Sequence, residues 1–197
     1  MPAKARAAAG RPYHHRHLRQ ALLDAALRTI AARGPAALSL RDLARMAGVS
    51  HAAPAHHFRD KADLLTALAT DGFLKLDATL RAAQPRGFLE VGVAYVRFAI
   101  EQRAYFEVMY RPELYHRDDP ALVAAREATG RSLYPLAARA SGAPPDSAAA
   151  LDAAIAAWSL VHGLATLWLA GNLPPALGDD AEAVARRVAA QLFAPGA

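Results

Sequence analysis

One string constrains this chain more than any other: SLRDLARMAGVSHAAPAHHFRDKADLL, residues 39–65. Ser39 is a good N-cap, and Asp42 three residues on resembles the acidic half of a capping box. Leu40, Leu43, Ala44 and Ala47 recur at helical spacing, with Arg41, Asp42 and Arg45 opposite them. Gly48 ends this run, because a residue without Cβ adopts positive φ at little cost. Val49 is expected as the buried pin of a tight turn and Ser50 as the cap of a second helix over 51–58. Pro54 falls at the edge of that helix's first turn, where at most one hydrogen bond is lost. Asp60 is expected to cap a third helix, with Lys61 and Asp63 in its first turn and Leu64, Leu65 and Leu68 inside it.

Helix, three-residue turn and shorter helix is the layout of a DNA-binding helix-turn-helix. With the helical segment 18–32 ahead of it, the string resembles the N-terminal domain of the TetR family of transcriptional repressors. Leu43, Ala44, Ala47, Gly48, Val49, Ser50, Phe58, Lys61, Leu64 and Leu65 carry that resemblance. There is one departure. The family usually has an aromatic residue, often Tyr, three positions before Phe58, and this chain has Ala55.

Charge distribution points the same way. Residues 1–61 carry a net +8 and six of the eight His, while residues 62–197 carry −3. A basic N-terminal third beside an acidic remainder suggests that only the first part faces a polyanion. Roughly a quarter of the residues are Ala, the strongest helix former, and β-branched residues are few, which favours an all-α protein. The absence of Cys excludes a disulfide framework, a thiolate metal site and a Cys nucleophile. The N-terminal segment is basic without the apolar core of a signal peptide, so a cytoplasmic protein is expected.

Periodicity predicts a flexible basic arm over 1–14, whose Lys4, Arg6 and Arg11 could reach a minor groove. His14, His15 and His17 lack a nearby carboxylate or Cys, and are expected to begin the first helix close to phosphates rather than to bind metal. That helix should span about 16–33 and stop at Gly34-Pro35, giving a DNA-binding domain over 15–62. Residues 63–197 should form a helical bundle for ligand binding and dimerisation. Its helices are expected at about 60–81, 88–102, 104–110, 119–139 (capped by Asp119 and bent at Pro135), 148–170 and 180–193. The segment 148–170 approaches the length of a membrane span. His162 in its middle and the lack of closely flanking Lys or Arg favour a helix buried on all sides, partly by another subunit, with no membrane partner. A two-fold homodimer is expected from that helix and the last one, which places Ala181, Val184, Val188 and Leu192 on one face.

No enzymatic constellation stands out, and no cofactor is implied. Glu113 and His116 make half of a di-iron bundle motif without its second half. His162 and Ser159 lack an orienting acid and an oxyanion site. Trp158-Ser-Leu-Val-His162-Gly163 is similar to a Trp…His-Gly signature in the C-terminal domain of one TetR subgroup, where an aromatic segment like that at 105–110 precedes it. The resemblance implies a small-molecule cavity between helices, with Phe73, Tyr95, Phe98, Phe106, Met109, Tyr110, Tyr134, Trp158 and His162 as candidates to line it. Core packing is the alternative for each. Few charges accompany them, so a mostly apolar inducer is expected. On the DNA side the candidates are Arg41, Ser50, His51, Ala52, Ala53, His56, His57 and Lys61. The reading is a repressor that binds a palindromic operator as a dimer. The alternatives are a helical interaction protein binding RNA or anionic membrane through its basic N-terminus, and a small helical enzyme.

Overall fold

Helix-starting and helix-stopping residues divide this chain into eight α-helices among the described residues, with no strand. The structure is a computed structural model that describes residues 11–191, with side chains from residue 18 onward. The helices are α1 (Arg11–Arg33), α2 (Leu40–Met46), α3 (Lys61–Ala83), α4 (Phe88–Glu101), α5 (Arg103–Met109), α6 (Pro120–Ser141), α7 (Ala148–Leu169) and α8 (Ala181–Ala190). Asp60, Asp119, Ser147 and Asp180 each cap a helix, their side-chain oxygens accepting backbone N–H groups of the first turn. α6 continues past Pro135. Of the arm expected over 1–14, residues 1–10 lie outside the described residues, as do the side chains of His14, His15 and His17 and Leu192, while residues 11–14 belong to α1.

One continuous core runs the length of the molecule. Leu22, Ala26 and Ile30 of α1 meet Leu43 of α2 and Phe58, and α3 carries the core onward through Leu64, Leu68, Phe73, Leu76 and Leu80. α3 packs on α6, α5 and α4, and α4 in turn packs on α7 and α8. Gly72 makes the α3–α5 approach possible: a Cβ there would stand 2.7 Å from Met109 Sδ. α8 is clamped to α4 by the Arg186 fork on Glu90, at 2.9 and 3.0 Å.

The structure corrects several expectations. α1 begins at Arg11 rather than near residue 16. Ser39 holds the N-cap position of α2, but its side chain makes no capping bond. Val49 is half-buried rather than enclosed. Its own chain covers α7 only where α4, α6 and α8 pack on it: Leu151 is 50% exposed, Ile155 42% and Leu167 45%, which leaves open the side expected to meet another subunit. The stripe on α8 turns inward. Val184, Ala185 and Ala189 are buried against the chain's own core, and Val188 is half-buried there.

Candidate nucleic-acid interface and ligand cavity

The turn after α2 is a Schellman motif. Gly48 takes φ 67°, its N–H bonds Arg45 O at 3.2 Å, and Val49 N–H bonds Ala44 O at 3.0 Å. The chain then turns away from α2 at an angle only a positive φ allows.

The expected second helix is a correction. Ala53–His56 is a single 3-10 turn flanked by turns. Pro54 has no N–H, and the bonds that form run mainly from residue i to i−3: Ala53 to Ser50, Ala55 to Ala52 and His57 to Pro54. Pro54 and Phe58 are buried and anchor the segment. Ser50, His51, Ala52 and His56 are exposed, whereas Ala53 and His57 are half-buried. The outer edge of this turn is therefore short side chains and two wet imidazoles, with no Lys or Arg.

Cations surround that edge rather than occupy it. Arg41 is exposed in the first turn of α2 and makes no hydrogen bond or ion pair with a described residue. Lys61, half-buried at the start of α3, donates from Nζ to Ala36 O at 3.1 Å, tying the α1–α2 connection to α3. Arg19 lies over the Phe58 ring, 5.4 Å from its centroid. Such cations can hold phosphates on either side of a segment whose histidines face base edges.

Where this head meets the bundle, Arg59 grips Asp63 with Nε and Nη2 at 2.6 Å each, and its backbone N–H adds a third bond at 3.0 Å. Those bonds pull the Asp63 carboxyl down to a pKa of about 2 against a burial effect that would raise it. From the α5–α6 loop, His116 Nε2 approaches Asp63 to 3.3 Å, while His116 N–H donates to Thr66 Oγ1 at 3.0 Å. Asp60, Asp63 and His116 lie close enough to share a metal ion, but the Asp63 carboxylate is already engaged by Arg59.

Between α3, α5, α6 and α7 lies an open cavity of about 760 Å³. Of the candidates, Phe73, Tyr95, Met109, Tyr110, Tyr134 and Trp158 line it. Phe98, Phe106 and His162 do not. Phe98 is plain core. Phe106 and His162 stand behind the wall, their rings 5.1 and 4.5 Å from that of Tyr110. The sequence reading missed Tyr115, Arg126, Glu127 and Arg131, which also line the cavity. They fall in a loop and on the polar face of α6, where nothing in the periodicity marks a cavity wall. A second void, of about 40 Å³ and bounded mainly by α4 and α7, is far smaller, with room for only a few waters.

Tyr95 Oη is the hub of the wall. It lies 2.8 Å from Tyr110 Oη, 2.9 Å from His162 Nδ1 and 3.2 Å from Trp158 Nε1. Burial raises Tyr95 well above the ordinary phenol value, lifts Tyr110 to about 12 and lowers His162. Both phenols therefore keep their protons near neutral pH, and His162 is neutral. The indole N–H donates to Tyr95 Oη, whose own O–H donates to Tyr110 Oη, and His162 Nδ1 donates to the same Tyr95 oxygen in the Nδ1–H tautomer. That pattern gives each of the four groups a partner.

A head of two helices and a 3-10 turn, joined through one long helix to a bundle that holds a cavity, has the layout of a helix-turn-helix transcriptional regulator. Comparison with known proteins agrees. A model of bacterial regulatory proteins of the tetR family matches residues 22–68, and one described as a Tetracyclin repressor-like C-terminal domain matches residues 88–192. The chain belongs to the TetR family. A protein of unknown function from Rhodococcus sp. RHA1 is 36% identical and superposes with a TM-score of 0.76, over 93% of this chain and 97% of its own. The TetR family transcriptional regulator PfmR of Thermus thermophilus shares the fold, with a TM-score of 0.66 at 23% identity, over 87% of this chain and 96% of its own. The HTH-type transcriptional regulator BetI of Agrobacterium fabrum is 41% identical over 91 residues. That alignment spans 43% of each chain, less than half the curated relative's length.

Proposed function

We propose that this protein is a cytoplasmic repressor that binds a palindromic operator as a homodimer and releases it when a mostly apolar small molecule fills the cavity. Residues 15–62 act as the reading head and residues 63–197 as the receptor and dimer unit. The observation that carries the DNA side is the exposed edge of Ser50, His51, Ala52 and His56, flanked by Arg41 and Lys61. The ligand side rests on the aromatic-walled cavity of about 760 Å³, within the size range of small-molecule sites. The open apolar face of α7 supports a second copy as its cover. A ligand can release DNA only by favouring the arrangement that does not bind it.

The test is an affinity titration of the full chain on duplex DNA, single-stranded RNA and anionic vesicles from low to physiological salt. Counterion release weakens every charge-driven complex as salt rises, and base contacts add a part that salt does not remove. The reading expects duplex binding alone to survive at about 150 mM salt, where surface charges are largely screened. Equal loss on all three would leave the basic segment as a general polyanion binder.

A further inference from the structure

Three charged side chains line the large cavity: Arg126, Glu127 and Arg131, all exposed and all on α6. Glu127 is matched by Arg131, with Nη1 and Oε2 3.2 Å apart. Arg126 makes no hydrogen bond or ion pair with any described residue. The lining as a whole carries one positive charge that nothing in the wall neutralises. Its field reaches inward: the guanidinium charge favours the ionised forms of both Tyr110 and Tyr115. Burial nevertheless keeps both phenols protonated, so neither supplies a counter-charge. Tyr115 moreover spends its proton on Met109 O, at 2.7 Å.

We propose that the cavity takes a monoanionic amphiphile, with its apolar body against Phe73, Leu76, Met109 and Leu133 and a single carboxylate at Arg126. This deepens the reading of the cavity as the ligand site and rests on it. A guanidinium offers paired N–H donors that match the two oxygens of a carboxylate. The Arg126 position suits the head rather than the body, because an exposed cation at the mouth meets the carboxylate without full desolvation of either. A cationic ligand is repelled there. A dianion leaves one charge against apolar wall with no partner.

The experiment uses the full-length protein loaded with N-phenyl-1-naphthylamine, an uncharged fluorophore that brightens in apolar surroundings, and displaces it with decanoate, decanol or decylamine. The three competitors share a chain and differ in head charge. An ion pair open to solvent gives a modest gain, so decanoate should displace the dye at about one-fifth the concentration that decanol needs, with decylamine weakest. Arg126→Gln should equalise decanoate and decanol, each competitor being scored against the variant's own dye affinity. Arg126→Lys should keep decanoate ahead of decylamine. Equal displacement by all three heads, or an unchanged decanoate preference in Arg126→Gln, overturns the anion proposal and leaves the cavity reading standing. Failure of the dye and of every competitor to bind overturns the cavity reading itself, and the anion proposal with it.

Discussion

Tyr95 Oη stands 2.9 Å from His162 Nδ1, and that bond joins the wall of the cavity to the middle of α7. Trp158, one turn earlier on α7, donates to the same oxygen. A ligand against Tyr95 therefore touches a side chain hydrogen-bonded at two points to the helix whose other face is open.

Removing the hub leaves three polar groups without their shared partner. Tyr95→Phe should destabilise the protein by about 1–3 kcal/mol, the usual cost of stranding buried donors and acceptors. Urea unfolding measures it. A change within a few tenths of that of a surface substitution would mean that water replaces the hydroxyl.

Burial lowers the folded-state pKa of His162 below its ordinary value of about 6.5. The unfolded chain then takes up a proton first as pH falls. The stability tied to neutral His162 is complete above about pH 6.5 and is lost as pH drops toward the lower folded-state pKa. Wild type should lose stability faster than His162→Gln between about pH 7 and 5. Parallel curves would contradict the assignment.

Asp63 runs the opposite way in charge and the same way in pH. Its folded-state pKa of about 2 lies below the ordinary carboxylate value, so its contribution is present above about pH 4 and is lost as pH falls toward 2. Asp63→Asn should be less stable than wild type at pH 7, with the gap closing across that acid window. Unfolding midpoints at pH 7, 4 and 2.5 measure it.

Gly72→Ala sets two effects against each other. Alanine favours a helix interior by about 1 kcal/mol over glycine, but its Cβ would stand 2.7 Å from Met109 Sδ and 3.3 Å from Tyr105 Cβ. Met109 borders the cavity, but a shift of its Sδ and Cγ would pull a side chain only 1% exposed out of its core contacts, and Tyr105 Cβ cannot swing aside, so overpacking of about 1–3 kcal/mol should win. A lower melting temperature is the expected result.

The dimer proposed for the two C-terminal helices is best tested on α7. Ile155→Glu changes a residue that is 42% exposed in the single chain, so it should give folded monomers. Val188→Glu strikes a side chain packed partly on the chain's own core and should lower stability as well. Sedimentation paired with thermal melts separates the two. An Ile155→Glu protein that remains a dimer would move the interface elsewhere.

Much of this was legible in the sequence because local chemistry decides it. Gly48 stops one helix and Asp60 and Asp119 start two others through their own backbone or side-chain bonds, so the end of α2 and the starts of α3 and α6 fall where they were expected. The segment after Ser50 was misread because helical spacing of its residues says nothing about hydrogen-bond register. Pro54 near its centre shifts the balance to i−3 bonding. The cavity was half legible. Aromatic residues marked its wall, but which aromatic faces the void and which backs it depends on how helices cross, as Phe106 and Tyr110 show. Arg126 was invisible, since an exposed arginine on α6 reads as ordinary surface until α3 and α7 are placed beside it. The inward turn of Val184 was missed because a stripe does not reveal its partner, and α4 had the prior claim.

The histidine-bearing edge makes a claim that substitution can test. His51→Gln and His56→Gln should each weaken binding to the operator more than binding to unrelated duplex, because both side chains stand exposed on that edge. Equal loss on both duplexes, or no loss on either, would assign base reading to Arg41, the N-terminal arm or DNA shape instead.

The most direct test of the whole account is selection of bound duplexes from a random pool by the full-length protein at physiological salt, with the stoichiometry of the selected complex. The account predicts a motif with two-fold symmetry, its half-sites about one helical turn apart, bound by two protomers. Enrichment of no motif, or of an asymmetric site held by a single protomer, would contradict it.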